Sequence, residues 1–319
     1  MHPKVSIIIL NWNGLDDTIE CLDSLRKITY PNYEVTVVDN ASAGDDVKIL
    51  RERFEGYIHI IQNDKNYGYT GGNNIGIRHS LASSQPDYFL ILNPDTVVNP
   101  DFLSRMTEVA QKDALIGIVG PKVYYYEKPN RIQSAGAGAN LWTGRASHIG
   151  INKLDTGQYN HLQEVDFVVG CCMLIKAEAI SNVGLFDESF FCYWEEVDYC
   201  IRAKRTGYKV MYVPEAKIWH KAPMKRTLWK RNQIRNRPSG FTYYYVARNN
   251  FRFMRKHATR RQYLSFLTYF FGLQLWILSG FYLAYFRDIK GVISFYRGVK
   301  DGFLNITTTT RTAARGGNP

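Results

Sequence analysis

The feature that most narrows the possible folds is an alternation in the first 120 residues, where short unbroken apolar runs are separated by amphipathic stretches. "VSIIIL" (5–10) is followed by a helix-like stretch over 16–26, with Ile19, Leu22 and Leu25 at helical spacing. The same pattern predicts strands over 34–38, 58–61, 88–92 and 116–119, and helices over 45–54, 72–81 and 102–110. Strands apolar on both faces belong in a sheet covered on both sides, and intervening helices make such a sheet parallel. Further on, 121–165 reads as loops and short strands, 167–175 and 209–213 as strands, and 177–183 and 194–205 as helices. The expected fold class is α/β, a mostly parallel sheet flanked by helices.

Ligands of such sheets bind outside the carboxyl ends of the strands. Those ends are polar here: Asn11-Trp12-Asn13, Asp39-Asn40 and Asn93-Pro94-Asp95. Any one of them is an ordinary turn. Several carboxylates on one edge are costly unless a cation or a donor-rich ligand lies between them. A second cluster, "FFCYWEEVD", places Glu195, Glu196 and Asp198 directly after an aromatic run. Acids are common in the first turn of a helix, but a carboxylate among apolar rings has its pKa raised, which suits a general base. In "NYGYTGGNNIGI" (66–77), Gly68, Gly71 and Gly72 allow close backbone approach, and the following helix start offers N–H groups to an anion. No Gly-Lys-Ser/Thr follows, so this is not a nucleoside-triphosphate P-loop. Asp95 and the late His220 could share one divalent cation with phosphate oxygens.

The net charge of +11 is unevenly placed. Residues 1–215 hold 20 Lys/Arg against 27 Asp/Glu, whereas 216–319 hold 20 against 2. The basic part lacks any nucleic-acid-binding signature, so nucleic acid is not an expected partner. Instead, 241–261 reads as a basic amphipathic helix, with Arg248, Arg252 and Arg255 beside an apolar stripe of Ala247, Phe251 and Met254. Such helices lie on anionic membrane surfaces. The 25 uncharged residues between Arg261 and Arg287 are long enough to cross a bilayer. A small polar stripe of Ser265, Thr268, Gly272 and Ser279 suits a helix lying in the interface or packing on a partner as well as one that spans, and basic flanks on both sides favour the interface. Residues 305–319 read as a disordered tail. Five cysteines without CxxC spacing, and no signal peptide before the first strand, indicate free thiols at the cytoplasmic face of a membrane.

Seven segments together resemble glycosyltransferase family 2: "VSIIILNWNG", "VTVVDNAS", "NYGYTGGNNIGI", "LILNPDTVV", "GCCMLIKAEAI", "GLFDESFFCYWEEVDYCIRAKRTGYKV" and "VPEAKIWH". They stand in the family's order over roughly residues 4–220. The resemblance implies a GT-A catalytic domain over 1–222 that binds a nucleotide-sugar at its strand ends, followed by a membrane-associating helical region over 223–304. It assigns Asp39 to the base, with the backbone around Asn11 and Trp12 lining the same pocket and Asn66, Gly68 and Asn73 packing on the nucleotide. Asn93-Pro94-Asp95 stands where many members have Asp-x-Asp, so Asp95 and His220 match ligands of Mg2+ or Mn2+. Glu196 matches the general base of an inverting transfer, with Glu195 and Asp198 in reserve. The similar branches transfer rhamnose from a dTDP-linked donor or galactofuranose from a UDP-linked one, to a glycan or lipid-linked acceptor. A non-catalytic nucleotide-sugar scaffold is the alternative; a nucleotidyltransferase is disfavoured by "NWNGLDD" after the first strand.

Overall fold

The computed structural model describes residues 2–221, 239–284 and 288–306. The chain divides into two compact units, one formed by 1–138, 147–191 and 195–225 and the other by 139–146, 192–194 and 226–319.

In the first half of the chain the elements are β1 (Val5–Asn11), α1 (Leu15–Leu25), β2 (Tyr33–Asp39), α2 (Asp46–Arg53), β3 (Ile58–Gln62), α3 (Gly68–Ser83), β4 (Tyr88–Leu92), β5 (Thr96–Val98), α4 (Phe102–Ala110) and β6 (Ile116–Tyr125). They are followed by β7 (Lys128–Ser134), β8 (Ala137–Asn140), β9 (Arg145–His148), β10 (Gln163–Glu164), β11 (Cys172–Lys176), α5 (Ala177–Val183), α6 (Glu195–Arg205) and β12 (Lys209–His220). The main sheet runs in the order β10-β12-β6-β11-β4-β1-β2-β3, with β5 on β12 and β7 on β6. Neighbours β4, β1, β2 and β3 are parallel, as are β6 and β12, while β11 runs antiparallel between β4 and β6. Val5, Ile7, Ile8 and Ile9 of the central strand are all fully buried, which is why β1 shows no polar alternation. Helix α3 lies so close over β1 that a Cβ on Gly72 would fall 2.3 Å from Leu10 Cδ1.

Register fixes what converges at the strand ends. Asn11 of β1 stands level with Asp39 of β2, and Asp39 with Gln62 of β3. The antiparallel pairing of β5 with β12 sets His220 opposite Thr96, and the Lys221 N–H donates to the Asp95 carbonyl at 2.9 Å. The sequence predicts β12 only to residue 213; the strand continues to His220 through an irregularity between Val213 and Lys217. Helix α3 starts four residues earlier than its apolar pattern indicates, and only 172–176 of the apolar run 167–175 is strand, extended by one residue.

Lys122 of β6 is fully buried, and its Nζ donates to Asp155 Oδ2 at 2.8 Å. Burial works against the Asp155 carboxylate, but Lys122, the Tyr124 hydroxyl and the Gly157 N–H lower its pKa to about 2. Because the folded value lies below the unfolded one, the pair's contribution is complete above about pH 4 and disappears as the pH falls towards 2. Lys122→Met is expected to cost about 3 kcal/mol at pH 7, since it leaves a mostly buried carboxylate without its cation. Urea unfolding at pH 7 and at pH 2.5 checks this: the deficit should be smaller at the lower pH.

The second unit contains α7 (Gly240–His257), α8 (Arg260–Tyr269), a π-turn (Phe270–Gln274), α9 (Leu275–Ala284) and α10 (Ile289–Phe303). Helices α7 and α10 run parallel and very close, with Gly298 against the Tyr244 carbonyl and Gly302 against that of Arg248. The expectation for α7 as a basic face presented to a membrane is corrected here. Arg248 and Arg252 are buried. Arg248 lies over the Tyr245 ring at 4.5 Å, and Arg252 donates to the Ile306 carbonyl at 3.0 Å. Arg255 donates to the Gly302 carbonyl at 3.1 Å and the Phe303 carbonyl at 2.6 Å. Arg255 thus reaches the last-turn carbonyls of α10, where the helix dipole also favours positive charge, and Arg252 holds the chain just beyond it.

The small polar stripe is corrected as well. Ser279 is buried, whereas Thr268 and Gly272 are exposed. The buried positions over 260–284 are Phe266, Phe270, Leu275 and Ser279. Their spacing is four, five and four residues, and the π-turn absorbs the extra residue so that both halves keep one face inward. The tail expected over 305–319 lies outside the described residues from 307 onward, as does the part of the basic segment over 222–238.

Candidate active site

The tips of β1 and β2 form a closed knot of hydrogen bonds. Asn11 Nδ2 lies 2.9 Å from Asp39 Oδ1, 3.1 Å from Ser42 Oγ and 3.0 Å from Asp46 Oδ2. Thr18 Oγ1 donates to Asn11 Oδ1 at 2.8 Å, and the Asn40 N–H donates to the Asn11 carbonyl at 2.8 Å. Asp39 also accepts from the Ser42 N–H at 3.0 Å and the Ser42 hydroxyl at 2.6 Å. The Asn11 side chain is therefore fully engaged inside the fold, where it orients Asp39. Trp12, next in sequence, is 41% exposed.

Asn40 joins this knot to the third strand end. Its Nδ2 donates to Asn66 Oδ1 at 3.0 Å and to the Gly68 carbonyl at 3.1 Å, while its Oδ1 accepts from Asn63 Nδ2 at 3.0 Å and the Tyr67 N–H at 3.2 Å. Asn66 Oδ1 also accepts from the Gly68 N–H at 2.7 Å. Gly68 has φ 74°, and a Cβ there would fall 2.5 Å from the Phe191 ring. The close approach that this glycine permits is that of Phe191. Asn73 is buried in α3; its Nδ2 donates to the Tyr69 carbonyl at 2.9 Å, while its Oδ1 has no partner.

Asn93 ends β4, its N–H donating to the Cys171 carbonyl at 2.9 Å and its carbonyl accepting from Thr96 Oγ1 at 2.7 Å. Two residues later, Asp95 Oδ1 lies 3.1 Å from His220 Nε2. Burial works against charge on both. Even so, His220 and Lys221 hold the Asp95 carboxyl below its usual range, and the Cys171 sulfur and Asp95 hold the His220 imidazole well above its own. The other imidazole nitrogen, Nδ1, lies 3.0 Å from Gln133 Oε1 on β7. An Nδ1–H bonded to that amide oxygen leaves Nε2 as the nitrogen that faces Asp95. Among the described residues no group of three or more His, Cys, Asp and Glu side chains suits a metal. One carboxylate and one imidazole facing each other fit a Mg2+ or Mn2+ whose remaining ligands are phosphate oxygens and water.

The acidic helix meets the same corner of the sheet. A Cβ on Gly170 would lie 3.4 Å from Glu196 Cβ and 3.6 Å from the Tyr69 hydroxyl, which itself donates to the Gly170 carbonyl at 2.6 Å. The next residue, Cys171, is the one whose sulfur acts on His220 and whose carbonyl holds Asn93. The consecutive pair Gly170-Cys171 therefore links Glu196 to Asp95 and His220. Glu195 is buried with its Oε2 unpartnered, and burial together with the charges of Glu196 and Asp198 raises its pKa well above the carboxylate range. Just before it, the backbone is left-handed at Phe191 (φ 65°), Tyr193 (65°) and Trp194 (75°), a costly conformation for bulky residues. Asp198 is fully buried and accepts from Arg202 Nε at 2.8 Å, and Arg202 in turn donates to the carbonyls of Val183 at 2.8 Å and Leu185 at 2.9 Å. This buried ion pair anchors α6 and removes Asp198 from the candidate bases.

A mostly parallel sheet with a buried carboxylate at one strand tip, an acid–imidazole pair at another and an acidic helix beside them defines the GT-A class of nucleotide-sugar transferases. The chain belongs to glycosyl transferase family 2, whose family model matches residues 6–184. It is 29% identical over 252 residues to a hexosyltransferase of low-salt glycan biosynthesis from Haloferax volcanii, covering 79% of this chain and 75% of that protein. It is 24% identical over 222 residues to an N-acetylglucosaminyl-diphospho-decaprenol L-rhamnosyltransferase from Mycobacterium tuberculosis, covering 62% of this chain and 70% of the relative. Some relatives are much longer, the chain spanning 24% of one and 17% of another. Among solved structures, a mannosyltransferase from Pyrobaculum calidifontis in complex with GDP-Man and Mn2+ shares the fold, with a TM-score of 0.58 and 13% identity over 96% of this chain and 88% of that one.

Proposed function

We propose that this glycosyltransferase moves a sugar, with inversion, from a nucleoside-diphosphate donor to a hydroxyl of a glycan or lipid-linked acceptor in cell-surface polysaccharide assembly. The observation that carries the reading is the convergence of Asp95, His220 and Glu196 around Gly170-Cys171. Asp39, held by Asn11 and Ser42, receives the base of the nucleotide. Asn66 and Asn73 flank the nucleotide, and Trp12 and Asn93 line its path. Asp95 and His220 would hold a Mg2+ or Mn2+, which neutralises the charge gathering on the departing diphosphate.

Glu196 is the base. Burial, and then the charges of Glu196 and Asp198, raise the pKa of its neighbour Glu195 well above the carboxylate range. A carboxyl whose charged form is so disfavoured is the poorer acceptor for the hydroxyl's proton, which leaves that role to Glu196. The hydroxyl oxygen then attacks the anomeric carbon as its bond to the diphosphate breaks.

The relatives named for rhamnosyl transfer favour a dTDP-rhamnose donor, with UDP-galactofuranose second. Released diphosphate, measured across a panel of dTDP-, UDP- and GDP-sugars in the presence of Mn2+, tests this. Turnover of dTDP-rhamnose at least tenfold above the others is expected. Nucleotide binding without release from any donor would instead favour the non-catalytic scaffold. A lipid-linked acceptor would call for a protein at the cytoplasmic face of a membrane; the 25-residue stretch Arg260–Ala284, long and apolar enough to cross one, supports membrane association.

A further inference from the structure

The stretch over 260–284 has two ways to meet a bilayer, and its neighbours within the second unit distinguish them. Its inward face is occupied along the length of the helix. Phe266 and Phe270 lie 5.1 and 4.8 Å from the Phe251 ring of α7. Phe271 lies 5.7 Å from Phe303 of α10, the Ser279 hydroxyl 2.9 Å from that of Tyr296, and Tyr282 5.4 Å from Phe295. As the residue number rises from 271 to 282, that of the α10 partner falls from 303 to 295, so the two helices run antiparallel side by side. A span over 260–284 would carry that part of α10 into the hydrocarbon, together with Arg297, Lys300 and Asp301. Charges there are strongly disfavoured.

The outward face is apolar. Leu264 is 66% exposed, Trp276 64%, Ile277 57% and, at the start of α10, Ile289 67%. The Trp276 indole N–H already donates to the Phe271 carbonyl at 2.8 Å, so the ring can enter an apolar medium without losing a partner. Arg260 and Arg261 at one end, and Lys290, Arg297 and Lys300 on α10, are exposed. Over the described residues 239–306 there are nine Lys/Arg and two acids, which complements an anionic surface.

We infer that α8, the π-turn and α9 lie in the plane of an anionic lipid interface, with Leu264, Trp276 and Ile277 in the acyl boundary and the basic residues at the headgroups. This rests on the membrane reading above and adds its geometry: both ends of the helix stay on one side. A span would put them on opposite sides.

The test uses the full chain with Cys192→Ser and a single cysteine at either end, Arg260→Cys or Ala284→Cys, in sealed inside-out and right-side-out vesicles from expressing cells. An impermeant maleimide should label both positions in inside-out vesicles and neither in right-side-out ones. Labelling of the two positions in opposite vesicle types would overturn the in-plane geometry while leaving membrane association intact. Flotation with vesicles containing phosphatidylglycerol separates the remaining outcomes. The double variant W276E/I277E should float at least about tenfold less than the unsubstituted chain, with an unchanged unfolding midpoint because both positions are exposed. Equal flotation would refute this face, and no flotation of the unsubstituted chain would refute the membrane reading itself.

Discussion

Glu196→Gln is expected to lower kcat by about 10² to 10⁴, the usual contribution of a positioned base, with little change in donor KM. The amide keeps the shape and the hydrogen-bonding reach of the carboxylate but cannot accept the acceptor's proton. Glu195→Gln is the control that gives this result its meaning. Glu195 is buried, and its pKa is raised first by that burial and then by Glu196 and Asp198, so its charged form is disfavoured. A glutamine is close to isosteric with it, and the expected loss is within about tenfold, well below that of a missing base. If Glu195→Gln were the crippling change and Glu196→Gln the mild one, the base would be Glu195. Steady-state rates of both variants, with folding checked by circular dichroism, decide it.

The second large effect falls on the acid–imidazole pair. Asp95→Ala is expected to reduce transfer by about 10³ or more, the several kcal/mol that a cation contributes at a developing phosphate charge. EDTA should have the same effect on the unsubstituted protein, reversed by Mn2+ or Mg2+. Full turnover by Asp95→Ala in EDTA would remove the cation from the account. Gln133→Leu refines the test. It leaves Asp95 and His220 in place but takes away the acceptor 3.0 Å from His220 Nδ1. Loss of such an orienting partner typically costs about 10- to 100-fold in metal affinity. Titration of Mn2+ with dTDP present should show that weakening, and Gln133→Glu, which still accepts from Nδ1, should restore most of it.

Much of the catalytic unit could be read from its sequence, because in the central strands burial dictates residue type directly. Val5–Leu10 and Tyr88–Leu92 are apolar without alternation since both faces of the sheet are covered. The polar residues at their ends stand out for the same reason. Less visible was anything set by pairing between segments distant in sequence. Gln133 lies in a stretch without period, and its role exists only because β6 pairs with both β7 and β12. Strand β5 is three residues long, too short for a pattern, yet its pairing is what sets His220 beside Asp95. Glycines are unspecific for a related reason. A missing Cβ signals a close approach without saying of what, and at Gly68 the neighbour is Phe191. Asp198 was ambiguous because an acid in a helix's first turn looks the same whether it meets substrate or an arginine one turn on.

The arginines of α7 were misread because a basic stripe looks like a surface, whereas here it closes the end of a neighbouring helix. This matters to anyone reshaping the protein. An engineer seeking a less cationic, more soluble variant would pick Arg248 and Arg252 first, on composition alone. Neutralising them would take the cation from over the Tyr245 ring and the donor from the Ile306 carbonyl, while the exposed lysines of α10 could be exchanged with little harm to the fold.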